Sequence, residues 1–275
     1  MHHVNANGAA IPALGLGTFT LKGTDCIDMV RSAIEIGYRH LDTAAMYGNE
    51  VEVGEGLRQS SIAREEVFVT TKVWWENLRA DDLRRSAEAS LAKLKLDSVD
   101  LLLVHWPNPA IPLSDTLPAL ARLKQEGLAR NIGVSNFTTK LLADALKLCP
   151  EPLVANQVEY HPYLNQTKVY AACRAAGLAM VSYCPLHRGG DLLSEAAVRS
   201  AADAHGKTPG QIVLRWHVQQ EGVVAIPRTS RIERLEENFS IFDFELTGDE
   251  MAAISQLAGK GSRICDFDFS PRWDD

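Results

Sequence analysis

Four polar residues far apart in the chain, Asp42, Tyr47, Lys72 and His105, are of the types that together make a tuned proton donor. A tyrosine hydroxyl ionises at about pH 10 and is a poor acid at neutral pH. A lysine ammonium beside it favours the phenolate and lowers that pKa, and an aspartate beside the lysine keeps the ammonium charged. If the four are gathered, Tyr47 is predicted to be a general acid with Lys72 and Asp42 as its tuning pair. A neutral His105 imidazole would donate a hydrogen bond to a carbonyl oxygen and stabilise oxyanion character as it develops. This is the set that carbonyl reduction requires: a proton for oxygen while hydride reaches carbon. No side chain donates hydride, so a nicotinamide cofactor is implied.

Each residue also has a plainer role open to it. Asp42, with Thr43, could cap a helix. Tyr47 could be a surface aromatic, and His105, beside Trp106 and Pro107, a satisfied core histidine. Lys72 is harder to dismiss, because it ends an apolar run and lysine is seldom buried unpaired. A barrel hydrolase with a metal held by His40, Asp42, His105 and His161 is a further alternative, since His40 and Asp42 share one face of a strand. His161, however, precedes Pro162 well past a strand end, and no carboxylate cluster completes the set, so no metal is expected. Convergence of four remote residues on strand ends favours the acid.

The elements that would gather them are strands and helices in alternation. Strand-like runs lie around residues 13–17, 39–42, 67–71, 99–104, 129–134, 153–158, 178–183 and 223–226. Most are apolar on both faces, as in a parallel sheet covered on both sides. Amphipathic segments intervene; Leu83, Ala87, Leu91 and Leu94 predict a helix over Ala80–Leu96. Thr247 to Glu250 reads as a capping box. Gly37, Gly127, Gly177 and Gly222 each close a helical pattern just before a strand, where a positive φ suits glycine. The longer strand-to-helix connections hold the unusual polar residues. Eight β-then-α units without a linker predict an α/β fold: a (β/α)8 TIM barrel, one domain over 1–275, with two extra helices and an N-terminal β-hairpin. Its site belongs at the C-terminal strand ends. A doubly wound open sheet is the alternative, weakened because Gly15-Leu16-Gly17 continues as Thr18-Phe19-Thr20 and not as a dinucleotide fingerprint.

Other strand ends carry Ser135-Asn136, Gln157, Tyr183-Cys184-Pro185 and Pro227-Arg228-Thr229. The stretch from Arg228 to Asn238 follows the last strand and opens a helix, a place that suits phosphate. Arg228, Thr229, Ser230 and Arg234 would add donors there. A solvated face of Arg/Glu pairs is the alternative, and Arg231 with Glu233 and Glu236 fits it.

Composition bounds the function. The chain has 275 residues, 46% hydrophobic and 23% charged, an ordinary globular mixture that excludes disordered and collagen-like classes. A net charge of −7 argues against a nucleic-acid or anionic-membrane partner. There is no apolar run of the roughly 18 residues a membrane span needs, and the first residues do not read as a signal peptide. The five cysteines, Cys26, Cys149, Cys173, Cys184 and Cys265, are odd in number and widely spaced. Neither a disulfide framework nor a thiolate zinc site is expected, and a cytoplasmic setting fits. Neither heptads nor an obvious exposed apolar face marks the oligomeric state, and a monomer is the working expectation.

The stretch from Gly37 to Glu50, Gly-Tyr-Arg-His-Leu-Asp-Thr-Ala-Ala-Met-Tyr-Gly-Asn-Glu, closely resembles the first signature of the aldo-keto reductases. Leu102–Pro107 resembles the family's histidine strand, and Asn156–Pro162 and Ile226–Ser230 resemble two further motifs. The likeness runs in order from about Gly15 to Leu246, and the compact loops are similar to those of bacterial members such as 2,5-diketo-D-gluconate reductase. The resemblance implies NADPH-dependent reduction of small-molecule aldehydes or ketones to alcohols, with the roles given above for Tyr47, Lys72, Asp42 and His105. It implies that Ser135, Asn136 and Gln157 hold the cofactor's carboxamide and that Tyr183 stacks under the nicotinamide. Arg228, Thr229, Ser230 and Arg234 would bind the 2′-phosphate, with Glu237 and Asn238 near adenine. Gly17, Thr18, Pro185, Leu186, Ile226 and Pro227 would line the rest of the cofactor.

The chain departs from the family's pattern at several points. Arg228 and Thr229 stand where lysine and serine are usual, Cys184 where a serine often follows the tyrosine, and Phe19 where tryptophan is frequent. A His187-Arg-Gly-Gly-Asp loop replaces a shorter turn. Phe19, Trp74 and Trp106, with Tyr47 and His105, are the expected substrate wall. Phe267, Phe269 and Trp273 would either join that wall or simply pack on the barrel. A cofactor-sensing protein on the same fold, without turnover, is the alternative function.

Overall fold

The apolar runs become the staves of one curved sheet. The computed structural model describes residues 1–260 and 263–274. It opens with a hairpin of β1 (His3–Ala6) and β2 (Ala9–Pro12), turned by Asn7 and Gly8 at φ 42° and 93°. Two successive positive φ angles match the twist of a tight hairpin, and Asn-Gly adopts them at little cost. Asn7 Nδ2 donates to the carbonyls of Leu153 and Ala176, which pins the hairpin across the N-terminal end of the sheet.

Strands and helices then alternate: β3 (Leu16–Gly17), α1 (Gly23–Ile36), β4 (His40–Asp42), α2 (Glu50–Gln59), β5 (Phe68–Val73), α3 (Ala80–Leu94), β6 (Val99–Val104), α4 (Leu113–Gln125), β7 (Ala129–Ser135), α5 (Thr139–Leu148), β8 (Leu153–Glu159), α6 (Thr167–Ala175) and β9 (Ala179–Tyr183). They continue with α7 (Ala196–His205), α8 (Pro209–Val218), β10 (Val223–Ala225), α9 (Ile232–Phe239) and α10 (Gly248–Ser255). Strands β3 to β10 lie side by side in sequence order and all run parallel. Every residue of β6 and of β8 is buried, because the sheet is covered by helices outside and by its own side chains inside.

The first and last strands meet. Leu14 bridges Ala225, Gly15 N donates to Ala225 O, and Gly17 N donates to Pro227 O at 3.0 Å. A Cβ on Gly17 would lie 2.8 Å from the carbonyl oxygen of Ile226, so this seam closes only because residue 17 has no side chain. The result is a (β/α)8 barrel with its N-terminal hairpin. Helices α7 and α10 are the two beyond one per strand.

The glycine-closed turns form as expected: Gly37, Gly127, Gly177 and Gly222 have φ of 127°, 82°, 70° and 78°. One boundary differs. Helix α3 stops at Leu94, two residues before the predicted end, and Lys95 takes a left-handed φ of 56°. Leu96 N bonds Leu91 O and Lys95 N bonds Ala92 O, the paired bonds of a Schellman cap. Leu96 packs back on the core from beyond the cap, which is why its spacing imitates another helical residue. Strand β5 also runs two residues past its predicted end, so Lys72 lies inside it.

Candidate active site

Asp42 and Lys72 face each other because of register. Asp42 is aligned with Thr70 on the neighbouring strand, and Lys72 lies two residues farther along, on the same side of the pleat. Both are fully buried. Lys72 Nζ donates to Asp42 Oδ1 at 2.5 Å, to Thr43 O at 2.8 Å and to the Tyr47 hydroxyl at 3.4 Å. Its three donors thus have three acceptors. The second Asp42 oxygen accepts from Gln157 Nε2 at 2.7 Å.

Tyr47 is presented by a single 3-10 turn, Ala45–Tyr47, that Gly48 ends at φ 59°. The turn is clamped from below by Asn49, whose amide donates to Thr18 O and Leu21 O and accepts from the Thr43 hydroxyl. Lys22 Nζ donates to the carbonyls of Tyr47 and Gly48. Neither Asn49 nor Lys22 was expected to support the site. A buried asparagine in a polar loop was the available signal for the first; no spacing marks the second. Thr18 donates from both its amide and its hydroxyl to Asp42 O, so the first loop is tied to the strand that carries Asp42.

His105 follows β6 and is buried; its amide donates to Val73 O. Its ring lies edge-on to Tyr47 with centroids 5.6 Å apart and to Trp74 at 5.3 Å. Burial, reinforced by the Lys72 charge, holds the imidazole pKa well below the ordinary value, so the ring is neutral. For Tyr47 the expected direction is reversed. Burial and then the Asp42 charge raise its pKa well above 10. The ammonium that was to lower it is already committed to Asp42 at closer range. Burial likewise lowers Lys72, opposed by Asp42.

A second network adjoins the first. Ser135 Oγ donates to Gln157 O at 2.8 Å, Asn136 Nδ2 donates to His105 O at 3.0 Å, and the Tyr183 hydroxyl donates to Asn136 Oδ1 at 2.7 Å. Asn136 holds this position at φ 64°, a left-handed conformation that asparagine tolerates better than most residues. Ser135, Asn136, Gln157 and Tyr183 are therefore brought together beside Asp42. Pro185 and Leu186 lie in the loop after β9; Pro185 O accepts from His217 Nε2 at 3.1 Å. Ile226 and Pro227 are buried at the closing seam with Gly17.

The Arg228–Asn238 stretch is more divided. Arg228 is exposed, with Nε donating to Phe19 O at 3.1 Å and Nη1 reaching Ser230 Oγ at 3.4 Å. The Thr229 hydroxyl accepts from Arg231 N. Arg234 pairs with Glu237 at 2.8 Å, and the same Glu237 oxygen accepts from Thr208 Oγ1. Asn238 is buried. Arg231 makes only a loose, exposed pair with Glu233, and Glu236 is exposed.

Phe19 is half exposed and packs on Tyr47 at 5.0 Å. Trp74 and Trp106 meet rings of the 263–274 segment: Phe269 lies 5.7 Å from Trp74 and 5.4 Å from Trp106, and Trp273 lies 6.0 Å from Trp106. Phe267 is 5.7 Å from Trp106 and half exposed. The tail rings therefore pack on Trp74 and Trp106. What holds this segment was not foreseen. Glu159, at the end of β8 and two residues past Gln157, accepts from Ile264 N at 2.6 Å, Cys265 N at 2.7 Å and His161 Nε2 at 3.0 Å. An acid on the same strand face as Gln157 was the signal. Among the described residues no group of three or more His, Cys, Asp or Glu is placed to hold a metal; His40 bonds Thr70 and His161 bonds Glu159.

Comparison with known proteins fits this geometry. The model of the aldo/keto reductase family matches residues 13–258. Methylglyoxal reductase DkgB of Escherichia coli O157:H7 is 40% identical over 268 residues, 96% of this chain and 100% of the relative. Glyoxal reductase of Bacillus subtilis (strain 168) is 41% identical over 259 residues, 94% of this chain and 92% of the relative. A crystal structure of a candidate 2,5-diketo-D-gluconic acid reductase B superposes with a TM-score of 0.97 at 45% identity, covering 100% of this chain and 98% of the other.

Proposed function

The chain belongs to the aldo/keto reductase family, and from that premise we propose that it reduces small aldehydes and ketones, dicarbonyls such as methylglyoxal and glyoxal foremost, with NADPH. The observation that carries this is the buried chain from Gln157 through Asp42 and Lys72 to the Tyr47 hydroxyl. An ion pair sealed inside a barrel costs several kcal/mol in lost hydration, about that much per ion. Here it ends on a half-buried phenol at the mouth, where a substrate can reach it.

Tyr47 delivers its proton to the carbonyl oxygen. Its raised pKa keeps the hydroxyl protonated at any working pH, and the phenolate left behind lies 3.4 Å from the Lys72 ammonium. Neutral His105 donates a hydrogen bond to the same oxygen and fixes which face of the carbonyl is presented. Ser135, Asn136 and Gln157 would hold the cofactor's carboxamide, and the Tyr183 ring, fixed through Asn136, would support the nicotinamide. The donor set fits, since it offers amides and a hydroxyl next to Asp42 and exposed guanidinium at Arg228. When bound, NADPH supplies the hydride. Gly17, Thr18, Pro185, Leu186, Ile226 and Pro227 would line its path, with Thr229, Ser230, Arg234, Glu237 and Asn238 toward the adenosine. Phe19, Trp74 and Trp106 would form the substrate wall.

The test is NADPH oxidation with methylglyoxal, glyoxal and an aromatic aldehyde. Wild type is expected to turn over, and Tyr47→Phe to lose roughly a hundredfold or more while still binding NADPH. Full activity in Tyr47→Phe would remove the acid assignment.

A further inference from the structure

Cys184 directly follows Tyr183 at the end of β9, and Cys265 belongs to the segment that crosses the mouth. The fold brings them together by a route independent of either thiol. Glu159 is aligned with Tyr183 in the β8–β9 register, and the Glu159 carboxylate holds the amides of Ile264 and Cys265. Cys265 is thereby anchored one strand away from Cys184, and the two thiols are neighbours that influence each other. Both are partly accessible.

We propose that Cys184 and Cys265 are a redox-active pair, and that their oxidation to a disulfide staples the 263–274 segment to the loop after β9. Glu159 holds the amides of Ile264 and Cys265, Asp274 bonds Thr139 and Lys168, and rings pack beneath; none of these contacts is covalent, so the segment can lift in the dithiol state. In the disulfide state its aromatic wall is fixed against Trp74 and Trp106.

The other cysteines differ. Burial raises the thiols of Cys26 and Cys173 to about 12, and that of Cys149 is also raised by burial. Cys184 moves the other way. The neighbouring Cys265 thiol, and with it the Arg188 guanidinium, favours the thiolate against the cost of burial. The thiolate is the reactive form, so Cys184 is the attacking sulfur.

With hydrogen peroxide as oxidant, Cys184 sulfur attacks one peroxide oxygen. An S–O bond forms, the O–O bond breaks, and the leaving hydroxide takes a proton to become water. Cys265 sulfur then attacks Cys184 sulfur. The S–S bond forms, the S–O bond breaks, and the hydroxide released leaves as water with the Cys265 proton. Two thiols and one peroxide give one disulfide and two waters.

The full chain is treated with hydrogen peroxide, alkylated, and digested without reduction. The expected product is a peptide pair joined through Cys184 and Cys265 within one chain. Cys26 and Cys173 should alkylate only after unfolding. Hydrogen exchange across residues 263–274 should slow at least severalfold on oxidation, return with dithiothreitol, and stay unchanged in oxidised Cys265→Ser, where Cys184 should instead advance to sulfinic acid. Overoxidised Cys184 with no linked peptide in wild type would overturn the pairing. A linkage between chains would do the same, and a cross-link without slower exchange would overturn the staple. None of these readouts needs turnover.

Discussion

Lys72 shows how much one buried charge commits. Its three donors are spent on Asp42, Thr43 and Tyr47, and among the described residues Asp42 has no other cation within reach of a salt bridge. Lys72→Met should therefore leave a stranded carboxylate and lower stability by about 3–5 kcal/mol, read from urea unfolding, besides abolishing turnover. A variant as stable as wild type would mean that the pair is not charged. At the cofactor end the two arginines are not equivalent, because Arg234 already has Glu237 while among the described residues Arg228 bonds neutral oxygens. Arg228→Ala should raise KM for NADPH roughly ten- to a hundredfold, the value of a lost charge-assisted bond. NADH, which lacks the 2′-phosphate, should be nearly unaffected, and Arg234→Ala should do less than Arg228→Ala. Equal losses with both cofactors would contradict the phosphate assignment. The residue types of the tetrad could be read in sequence because lysine at the end of an apolar run demands a partner. The direction of the Tyr47 shift could not, since it is set first by burial of the hydroxyl and then by the Asp42 charge, and residue types do not show how deeply the fold buries a group.

The helix-to-strand turns show where local chemistry is legible and where it fails. Gly37, Gly127 and Gly177 sit in Schellman caps, each with the following amide bonded back five residues. Lys95 makes the same cap with a side chain that disfavours it. A left-handed φ costs an ordinary residue about 1–2 kcal/mol, and glycine's greater freedom in the unfolded chain gives back roughly 0.5–1. Lys95→Gly should thus stabilise the protein by about 0.5–1 kcal/mol, measured as a higher urea midpoint at unchanged slope. Gly37→Ala should do the reverse and more, because φ is 127° and a Cβ would lie 2.8 Å from the Phe239 ring. The sequence marks a cap clearly when glycine fills it. At Lys95 the signal is missing and the apolar spacing runs on to Leu96. The 263–274 segment was opaque for a different reason: Glu159 holds its backbone amides, and a backbone donor leaves no trace in residue type.

A barrel that buries so much of its polar chemistry carries a cost that appears in acid. His40, His105 and His217 are buried in three different parts of the sheet and its helices, each with an Nδ1 that has no partner among the described residues. Burial lowers all three below the ordinary histidine value, His217 to about 3. His217 Nε2 must donate to the Pro185 carbonyl, so its Nδ1 is bare, and a second proton would bring an uncompensated charge inside. In the unfolded chain the same imidazoles take up a proton at about pH 6.5. Between that pH and the depressed folded value the unfolded state binds more protons, so stability is complete above about pH 6.5 and falls as the pH drops. For His217 alone the loss is about 2 kcal/mol by pH 5, and His40 and His105 act with the same sign. Against a total of roughly 5–15 kcal/mol this is a large fraction. The urea midpoint of wild type should therefore decline steeply from pH 7 to pH 5. His217→Asn, which has no proton to gain, should lose stability at pH 7 with the packing it gives up, yet decline less steeply. Parallel declines in the two proteins would show that His217 is not held neutral in the folded state.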